Sequence, residues 1–267
     1  MPKKGGDDIT LEHFFKENPK VALGFSGGVD SSYLLYAGLQ SGANIQAYYV
    51  NTAFQPQWEL EDARQLARHV GAQLTVIAMD VLANENVIAN PANRCYYCKV
   101  DIFTTLQRQA LADGFTLVID GTNASDDASD RPGMKALTEL SVRSPLREAG
   151  ITKEDIRRLS KEAGLFTWDK PAYACLATRI PTGQTITADL LHRIEKSEDA
   201  LFGLGFTDFR VRVMGGAAKE AKEEAMGEVA KLQFPENQMK EVLNKKDEII
   251  KTIKPYFHAV LLDLEGR

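Results

Sequence analysis

The sequence predicts an α/β protein built on a doubly wound parallel sheet, with a second, smaller α+β domain after it. Up to about residue 165, strand-like apolar runs alternate with helical stretches, which is typical of a parallel sheet with helices on both faces. Beyond that point a loop-rich segment leads into one helix and short strands. We therefore expect one domain over residues 1–165 and another over residues 166–267.

Four apolar runs in the first part have the length and composition of buried strands, at residues 21–25, 45–50, 74–79 and 117–120. Helical stretches separate them, two of which cover residues 59–70 and 100–113. Gly71 and Gly114 follow these two helices, where a left-handed cap is expected. The glycines therefore support the predicted helix ends.

The helix that closes the first domain opens with Thr152 and Asp155 in the spacing of a capping box and should end near Gly164. The second domain is predicted to contain a helix and two strands, at residues 187–202, 209–213 and 258–264. Between these strands lies the polar tract "GGAAKEAKEEAMGEVAK", residues 215–231. Its composition favours a solvated helical excursion, and the role of this apparent insertion (214–229) stays open.

Composition narrows the class of protein. The 267 residues are 44% apolar and 26% charged, as in soluble globular proteins. No apolar run approaches the roughly 20 residues of a membrane helix, and the first residues lack an apolar signal core, so we expect a cytoplasmic protein without a membrane partner. The formal charge of −5 gives no general attraction to nucleic acid. A small-molecule substrate is therefore favoured.

The stretch "SGGVDSS", residues 26–32, lies between the apolar run "VALGF" and the helix-like "YLLYAGL". Gly27 and Gly28 allow a sharp turn and a close approach to a ligand, and the helix that follows presents free N–H groups. This arrangement predicts a phosphate site. The spacing matches neither GxGxxG nor the GK[ST] end of a Walker A loop. A plain glycine turn with Asp30 as a helix cap is the alternative.

A second polar loop, "VIDGTNASDDASDRPG", follows the fourth predicted strand and should lie at the same sheet edge. Carboxylates beside a triphosphate require a hard cation, so this loop implies Mg²⁺, with Asp127 as the candidate ligand among Asp120, Asp126 and Asp130. An acidic surface loop is the alternative. The candidate ATP-binding residues are Ser26, Gly27, Gly28, Val29, Asp30, Ser31, Ser32, Gly121, Asn123 and Asp127.

Three cysteines carry the remaining chemistry. Cys95 and Cys98 form a CxxC pair in "RCYYCK", and Cys175 lies in "KPAYACLATRIP". Three thiolates on one metal leave one coordination position open, and the four histidines are scattered without ligand spacing. A [4Fe–4S] cluster with one iron not bound by cysteine therefore fits better than zinc. Structural zinc and a redox pair stay open as alternatives.

The motifs together resemble the ATP-dependent sacrificial sulfur transferases of the LarE family, in the PP-loop ATP pyrophosphatase superfamily. The resemblance covers nearly the whole chain and is carried by "GFSGGVDSS", "CYYCK", "DGTNASDDASDRPG", "SPLREAG", "WDKPAYACLATRIPTG", "RVRV" and "LDLEGR". It implies an adenine nucleotide alpha hydrolase-like fold, with the SGGxDS turn gripping the pyrophosphate of ATP. It also implies a homo-oligomer. The family stretch similar to "RVRHHGDLARIEV" is replaced here by a longer segment that lacks its histidines.

That family adenylates a carboxylate of pyridinium-3,5-biscarboxylic acid mononucleotide and replaces it with a thiocarboxylate, in two rounds. The product is the precursor of the nickel-pincer nucleotide used by lactate racemase. Members with a single cysteine, matching Cys175, surrender its sulfur and end as dehydroalanine. Members with a CxxC resemble a second branch that holds a [4Fe–4S] cluster and delivers sulfide, and this sequence has the second pattern. The physiological sulfur donor stays open.

Chemical roles can be assigned to a few side chains on this basis. Asp30, Cys175 and Arg179 are the candidate catalytic residues. Arg179, Arg210 and Arg212 are candidates for the substrate phosphate and carboxylates, because a guanidinium binds either group bidentately. Each arginine could instead form a surface ion pair. Glu195 and Glu198 follow on the next helix, where a solvated helix face is the expected role.

Two other functions use the same residues. A PP-loop tRNA thiolase also commonly has three cysteines and a cluster, but the acidic net charge and the lack of a recognisable RNA-binding appendage argue against it. A non-enzymatic iron–sulfur or nucleotide-sensing scaffold is the third possibility. Release of AMP with a thiolated product distinguishes the three.

Overall fold

Seven strands form two separate sheets in residues 10–126, 132–215 and 227–266, the part of the chain that this computed structural model describes. The strands are β1 (Lys20–Gly24), β2 (Asn44–Asn51), β3 (Leu74–Ala78), β4 (Val118–Ile119), β5 (Arg210–Met214), β6 (Val229–Gln233) and β7 (Ala259–Leu262). The predicted strand positions are therefore confirmed to within a few residues, except that β6 was not predicted.

The helices are α1 (Leu11–Glu17), α2 (Val29–Gln40), α3 (Gln57–Val70), α4 (Glu85–Ile88), α5 (Arg94–Ala112), α6 (Pro132–Glu139), α7 (Pro145–Glu148), α8 (Lys153–Glu162), α9 (Ala188–Gly203), α10 (Met239–Asn244) and α11 (Lys246–Ile253). Helix α5 begins six residues before the predicted start at residue 100. Cys95 and Cys98 therefore lie in its first turns and not in a preceding loop.

The chain forms two compact units. The first consists of the described residues of Met1–Thr52, Gln57–Asp80 and Cys95–Ala172, and the second of those of Ala53–Pro56, Val81–Arg94 and Tyr173–Arg267. Each unit is drawn from three separate stretches. The predicted domain boundary between residues 165 and 166 stays a prediction, because the interleaved units do not show whether residues 1–165 or residues 166–267 fold alone.

The first unit contains a four-stranded parallel sheet in the order β3-β2-β1-β4, which confirms the predicted α/β class. Strand order reverses between β1 and β4, because β2 and β3 lie on one side of β1 and β4 lies on the other. In doubly wound sheets, ligands bind at the carboxyl ends of the strands beside such a reversal. The segments that leave β1 and β4 therefore mark the expected site.

Both faces of the central strand β1 are buried. Val21 and Leu23 of β1 pack into one apolar cluster with residues of α1, α2, α3 and α8, and Ala22 packs into a second cluster with residues of α5 and α6. Burial on both faces explains why these strands are continuous apolar runs rather than alternating ones. The layers are thus helix, sheet and helix.

Local signals at the helix ends are confirmed. Gly71, Gly114 and Gly164 have φ of +71°, +80° and +70°, the left-handed conformation expected after a helix. The capping box of α8 is present, with the Thr152 hydroxyl accepting from the Asp155 N–H and the Asp155 carboxylate accepting from the Thr152 N–H. These turn signals therefore gave reliable helix boundaries.

The second unit contains the sheet β5-β6-β7, in which β5 and β6 are antiparallel and β6 and β7 are parallel. The helical prediction for residues 215–231 was wrong for its last residues, because Val229, Ala230 and Lys231 belong to β6. Ala230, Leu232 and Phe234 are buried with a period of two, a strand pattern that the polar residues before it concealed. The rest of the tract, residues 216–226, lies outside the described residues.

Among the described residues, none of the helices combines the length and the apolar composition that crossing a bilayer would require.

Candidate active site

The segment that leads from β1 into the first turn of α2, residues 26–32 and here called the glycine turn, requires glycine at position 27. Gly27 has φ of +70°, and a Cβ at this position would lie 3.0 Å from the Cβ of Ala63 on α3. Gly28 is the N-cap of α2 in an extended conformation. The two glycines therefore let the chain leave the central strand, pass close to α3 and enter the helix directly.

Hydroxyl groups hold the glycine turn in place. The Ser26 and Ser31 Oγ atoms are 3.1 Å apart. The Gly28 N–H donates to Ser26 Oγ, and the Ser26 N–H donates to Ser31 Oγ, each at 3.3 Å. Within the described residues, no side chain caps the start of α2. The first N–H groups of the helix, at the positive end of its dipole, are therefore available to an anion. An anionic group such as a phosphate would be suited to this position.

The loop after β4 packs directly on this helix start. A Cβ at Gly121 would lie 2.9 Å from the backbone nitrogen of Ser31, so glycine is required for the close approach. Asn123, which is buried, donates from Nδ2 to Oδ1 of Asp30 at 3.4 Å. The predicted ATP residues of the two loops thus converge at the sheet edge where the strand order reverses.

Asp30 does not cap α2. Its Oδ2 accepts from Lys153 Nζ at 2.5 Å, so the alternative of a capping aspartate is wrong. Burial raises the pKa of Asp30 above the ordinary carboxyl value, although the hydrogen bond and charge of Lys153 oppose the shift. Lys153 was missed by the sequence reasoning. Its one signal was its place directly after Thr152, the cap residue of α8.

The acidic carboxylates after β4 differ in role. Asp120 is buried and accepts from the Thr122 hydroxyl at 2.5 Å and the Ser144 hydroxyl at 2.6 Å, so it holds the loop together. Asp126 accepts from the Asn123 N–H at 3.1 Å. The Asp30 carboxylate lies on the glycine turn itself and suits an ion that phosphate oxygens also bind. Asp127, the predicted magnesium ligand, and Asp130 lie outside the described residues.

In the second unit, Cys175 lies beside a buried guanidinium. Arg94 Nη2 is 4.0 Å from Cys175 Sγ, and Nη1 donates to Asn90 Oδ1 at 2.6 Å and to the Ala177 carbonyl at 2.9 Å. The Thr178 hydroxyl donates to the Cys175 carbonyl at 2.7 Å. Arg94 was also missed, although it directly precedes the CxxC pair. The backbone and the sulfur of Cys175 are thus both held by side chains.

Arg179 and Glu198 form a bidentate ion pair in the interior of the second unit. Arg179 Nε and Nη2 donate to the two carboxylate oxygens at 2.8 Å and 3.2 Å, and the two residues are each 1% exposed. The expectation of a solvated Glu198 was therefore wrong. Helical periodicity places Glu198 on the same face as Leu191, Ile194 and Leu201, which the sequence reasoning overlooked.

Further donors converge on this carboxylate. The Tyr173 hydroxyl donates to Glu198 Oε2, and the Val211 N–H donates to Oε1 at 3.0 Å. The Tyr173 ring lies 4.6 Å from the guanidinium carbon of Arg179 and 5.2 Å from that of Arg210. Tyr173 therefore contacts both arginines and the carboxylate of Glu198.

The buried charges of this unit do not balance. Among the described residues, its buried charged side chains are Arg94, Arg179, Arg210 and Glu198. Burial alone would lower the pKa of Arg179, but Glu198 outweighs it and the pKa is raised. Burial and the nearby charge of Arg179 lower the pKa of Arg210. Arg210 also has a partly exposed partner, because its Nη1 lies 3.8 Å from Oδ1 of Asp208.

Arg212, the third predicted substrate arginine, has a different environment. It is exposed on β5, and its Nη1 donates to the Thr178 carbonyl at 2.9 Å while Nε donates to Gln233 Oε1 at 2.5 Å. For Arg179, the alternative of a surface ion pair is wrong, because its ion pair with Glu198 is buried. Arg212 has carbonyl and amide partners in place of a carboxylate. All three arginines lie in the second unit.

The three cysteines are thiols, with no disulfide in the described chain. Cys95 and Cys98 are three residues apart on α5, which places them on one helix face. Within residues 10–126, 132–215 and 227–266, no group of three or more His, Cys, Asp and Glu side chains has an arrangement that would hold a metal ion.

Two similarities to known proteins cover only part of the chain. A family model described as queuosine biosynthesis protein QueC matches residues 20–92, which contain β1, the glycine turn, β2 and β3. A tRNA-specific 2-thiouridylase MnmA from Thermotoga maritima is 26% identical over 193 residues, 57% of this chain and 54% of that protein.

Two other relatives match along nearly the full length. An uncharacterized protein of Synechocystis sp. is 36% identical over 264 residues, 96% of this chain and 93% of that protein. The pyridinium-3,5-bisthiocarboxylic acid mononucleotide synthase of Lactiplantibacillus plantarum is 31% identical over 260 residues, 96% of this chain and 90% of that protein. With this identity over almost the whole of both proteins, the chain belongs to the family of that synthase, the LarE family of PP-loop sulfur transferases.

Proposed function

We propose that the protein is an ATP-dependent sulfur transferase that converts carboxylates of pyridinium-3,5-biscarboxylic acid mononucleotide into thiocarboxylates. The observation that carries the proposal is the glycine turn, whose uncapped helix start, with Gly121 packed against it, fits a phosphate chain. Full-length similarity to a synthase of the bisthiocarboxylic acid product supports the choice of substrate.

In the first step, a substrate carboxylate oxygen attacks the α-phosphorus of ATP, and pyrophosphate leaves. The hydroxyls of Ser26 and Ser31 and the first N–H groups of α2 would bind the departing phosphates, and Mg²⁺, when bound, would supply charge neutralisation. The Nζ atom of Lys153 lies 2.5 Å from Oδ2 of Asp30 and places a second positive charge beside the Asp30 carboxylate. Adenylation is required because a carboxylate oxygen is a poor leaving group, whereas AMP is a good one.

In the second step, a sulfur nucleophile attacks the acyl carbon and AMP leaves. We propose that Arg179, Arg210 and Arg212 bind the phosphate and carboxylates of the substrate. The burial of two neighbouring guanidinium groups, those of Arg179 and Arg210, supports this role. Arg179 is held by Glu198, so its charge is oriented without being removed.

Two sulfur sources follow from the cysteine pattern. Cys175 can attack the acyl-adenylate and lose its sulfur by elimination, ending as dehydroalanine. Alternatively, Cys95, Cys98 and Cys175 hold a [4Fe–4S] cluster, which would supply sulfide at its open iron. We propose the cluster route on the CxxC pattern of the sequence, and we assign no step to it because the described residues form no metal-binding group.

We further propose that the enzyme acts in the cytoplasm as a homo-oligomer. Three thiols and the use of ATP suit a reducing, ATP-containing compartment. The oligomer rests on family membership alone.

The function is tested by incubating the protein anaerobically with ATP, Mg²⁺ and either the pyridinium dicarboxylate mononucleotide or tRNA, and following AMP and thiolated product by mass spectrometry. We expect product only with the mononucleotide. Ser26→Ala and Asp30→Ala should lower AMP release more than 100-fold, because the leaving group is no longer held. Ser41→Ala, at the other end of α2, is the matched control. Thiolated tRNA as the only product would contradict the proposal.

The sulfur source is tested in the same assay after reconstitution with iron and sulfide. The cluster route predicts that Cys95→Ala, Cys98→Ala and Cys175→Ala each lose bound iron and thiolation together, while the parent protein turns over repeatedly at constant polypeptide mass. A mass loss of one sulfur confined to Cys175, with full activity in Cys95→Ala, would show the sacrificial route instead.

A further inference from the structure

Lys170 has no role in the site described so far, although its side chain contacts the glycine turn. Its Nζ donates to the carbonyl oxygen of Gly27 at 3.3 Å and to Oδ2 of Asp62 at 2.8 Å. The ammonium also lies 5.0 Å from the centroid of the Trp58 ring. Because only 16% of the side chain is exposed, these contacts, and not water, determine the position of the charge.

Both sides of this contact are anchored. Arg157 on α8 donates to the carbonyls of Trp168 and Lys170 at 2.8 Å and 2.9 Å, which holds the backbone that carries the lysine. Asp62 lies on α3 next to Ala63, the residue that a Cβ on Gly27 would meet. Gly27 is therefore held by α3 on one side and by the Lys170 ammonium on its carbonyl.

The contact determines which way one peptide group faces. The Gly27 carbonyl and the Gly28 N–H belong to the same trans peptide plane and point in opposite directions. While the carbonyl faces Lys170, the N–H faces the Ser26 hydroxyl, to which it donates at 3.3 Å. Two adjacent glycines leave this plane free to rotate. Rotation would replace a donor with a carbonyl oxygen, which repels phosphate.

We propose that Lys170 is a positioning residue that selects the phosphate-binding orientation of the Gly27–Gly28 peptide, and that Asp62 acts through it by holding the ammonium beside the carbonyl. The inference rests on the proposed function in one respect, since the ligand is the phosphate chain of ATP. Lys170 acts on the protein backbone and not on the nucleotide. It therefore affects binding of the phosphates and not of the nucleoside.

The first test compares two probes, inorganic pyrophosphate and adenosine, by calorimetric titration of the full-length protein with Mg²⁺. Lys170→Met should bind pyrophosphate about tenfold more weakly, the loss expected for one charge-assisted hydrogen bond, with adenosine affinity unchanged. Asp62→Asn should lose less in the same direction, and the double variant should be no weaker than Lys170→Met. Lys161→Met is the matched control, because Lys161 lies 4.5 Å from the Trp168 ring without contacting the turn.

The second test needs no ligand. Hydrogen exchange of the peptide covering residues 25–31 should be faster in Lys170→Met than in the parent protein and in Lys161→Met. If the parent protein bound no pyrophosphate and released no AMP, the proposed function would be overturned. The hydrogen-exchange comparison would still test the role of Lys170, because it needs no ligand. Unchanged exchange and pyrophosphate affinity, or equal losses for pyrophosphate and adenosine, would overturn the role of Lys170. If Lys170→Met does not fold, Asp62→Asn carries the same comparison.

Discussion

The glycine turn and the segment around Cys175 present positive charge by different physical means. The glycine turn offers backbone N–H groups at a helix start, held by short hydroxyl side chains and two glycines. The segment around Cys175 relies on long charged side chains that are almost completely buried, with Arg179 and Glu198 each 1% exposed. A backbone site needs a particular local conformation, whereas a side-chain site needs tertiary packing.

This difference determines how each region should respond to mutation. Removing the hydroxyl of Ser26, which is exposed, leaves groups that water can satisfy, so function should suffer more than stability. Removing one charge from the buried pair of Arg179 and Glu198 leaves the other residue as a buried charge without its partner. Mutations there should destabilise the fold as well as the site.

The largest effect is expected for Glu198→Gln. The change leaves Arg179 buried without its carboxylate partner, and breaking a buried ion pair costs about 3–5 kcal/mol. The free energy of unfolding in urea should fall by that amount. Glu195→Gln, on the same helix and only partly buried, is the control and should stay within about 0.5 kcal/mol of the parent protein. Equal stabilities of the two variants would remove the contrast between the regions.

An intermediate effect is expected for Gly121→Ala, which adds a methyl group 2.9 Å from the Ser31 nitrogen. The loop after β4 must then move away from the start of α2, and the KM for ATP should rise about tenfold, equivalent to one lost hydrogen bond to a charged group. Gly203→Ala is the control, because a Cβ there meets nothing within 4 Å. An unchanged KM in Gly121→Ala would mean that the two loops bind ATP independently.

The smallest effect concerns pH. Because burial raises the pKa of Asp30 in the folded protein, the folded state binds more protons than the unfolded state between the ordinary and the raised pKa. The ligand-free protein should therefore lose stability as the pH rises through this window, and Asp30→Asn should remove that loss. The free energy of unfolding, measured from about pH 2 to about pH 7, provides the test.

Asp155→Asn gives the opposite sign in the same experiment. Hydrogen bonds from Thr152 lower the pKa of Asp155, so its contribution is present above the ordinary carboxyl pKa and is lost as the pH falls. If both variants changed the pH dependence in the same direction, the environment assigned to Asp30 would be wrong.

The same contrast explains what the sequence could predict. The glycine turn is a local motif, so seven consecutive letters were enough to place it after β1 and before α2. Glu198 and Arg94 obtain their roles from partners 19 and 81–83 positions away along the chain. Local sequence gave no sign of such partners. Strand β6 was missed for a related reason, because a polar tract concealed its short alternating pattern.

The interleaving of the two units has a consequence for anyone who wishes to divide the protein. The Leu176 N–H donates to the carbonyl of Phe54, and the Gly183 N–H donates to that of Asn90. Both acceptors come from stretches far earlier in the chain, as does Arg94. A fragment beginning at residue 166 would carry the cysteine but lack the three residues that hold its loop. The smaller unit therefore cannot be moved into another protein as one continuous segment. A chimera that takes residues 173–267 from this protein would also need its residues 53–56 and 81–94.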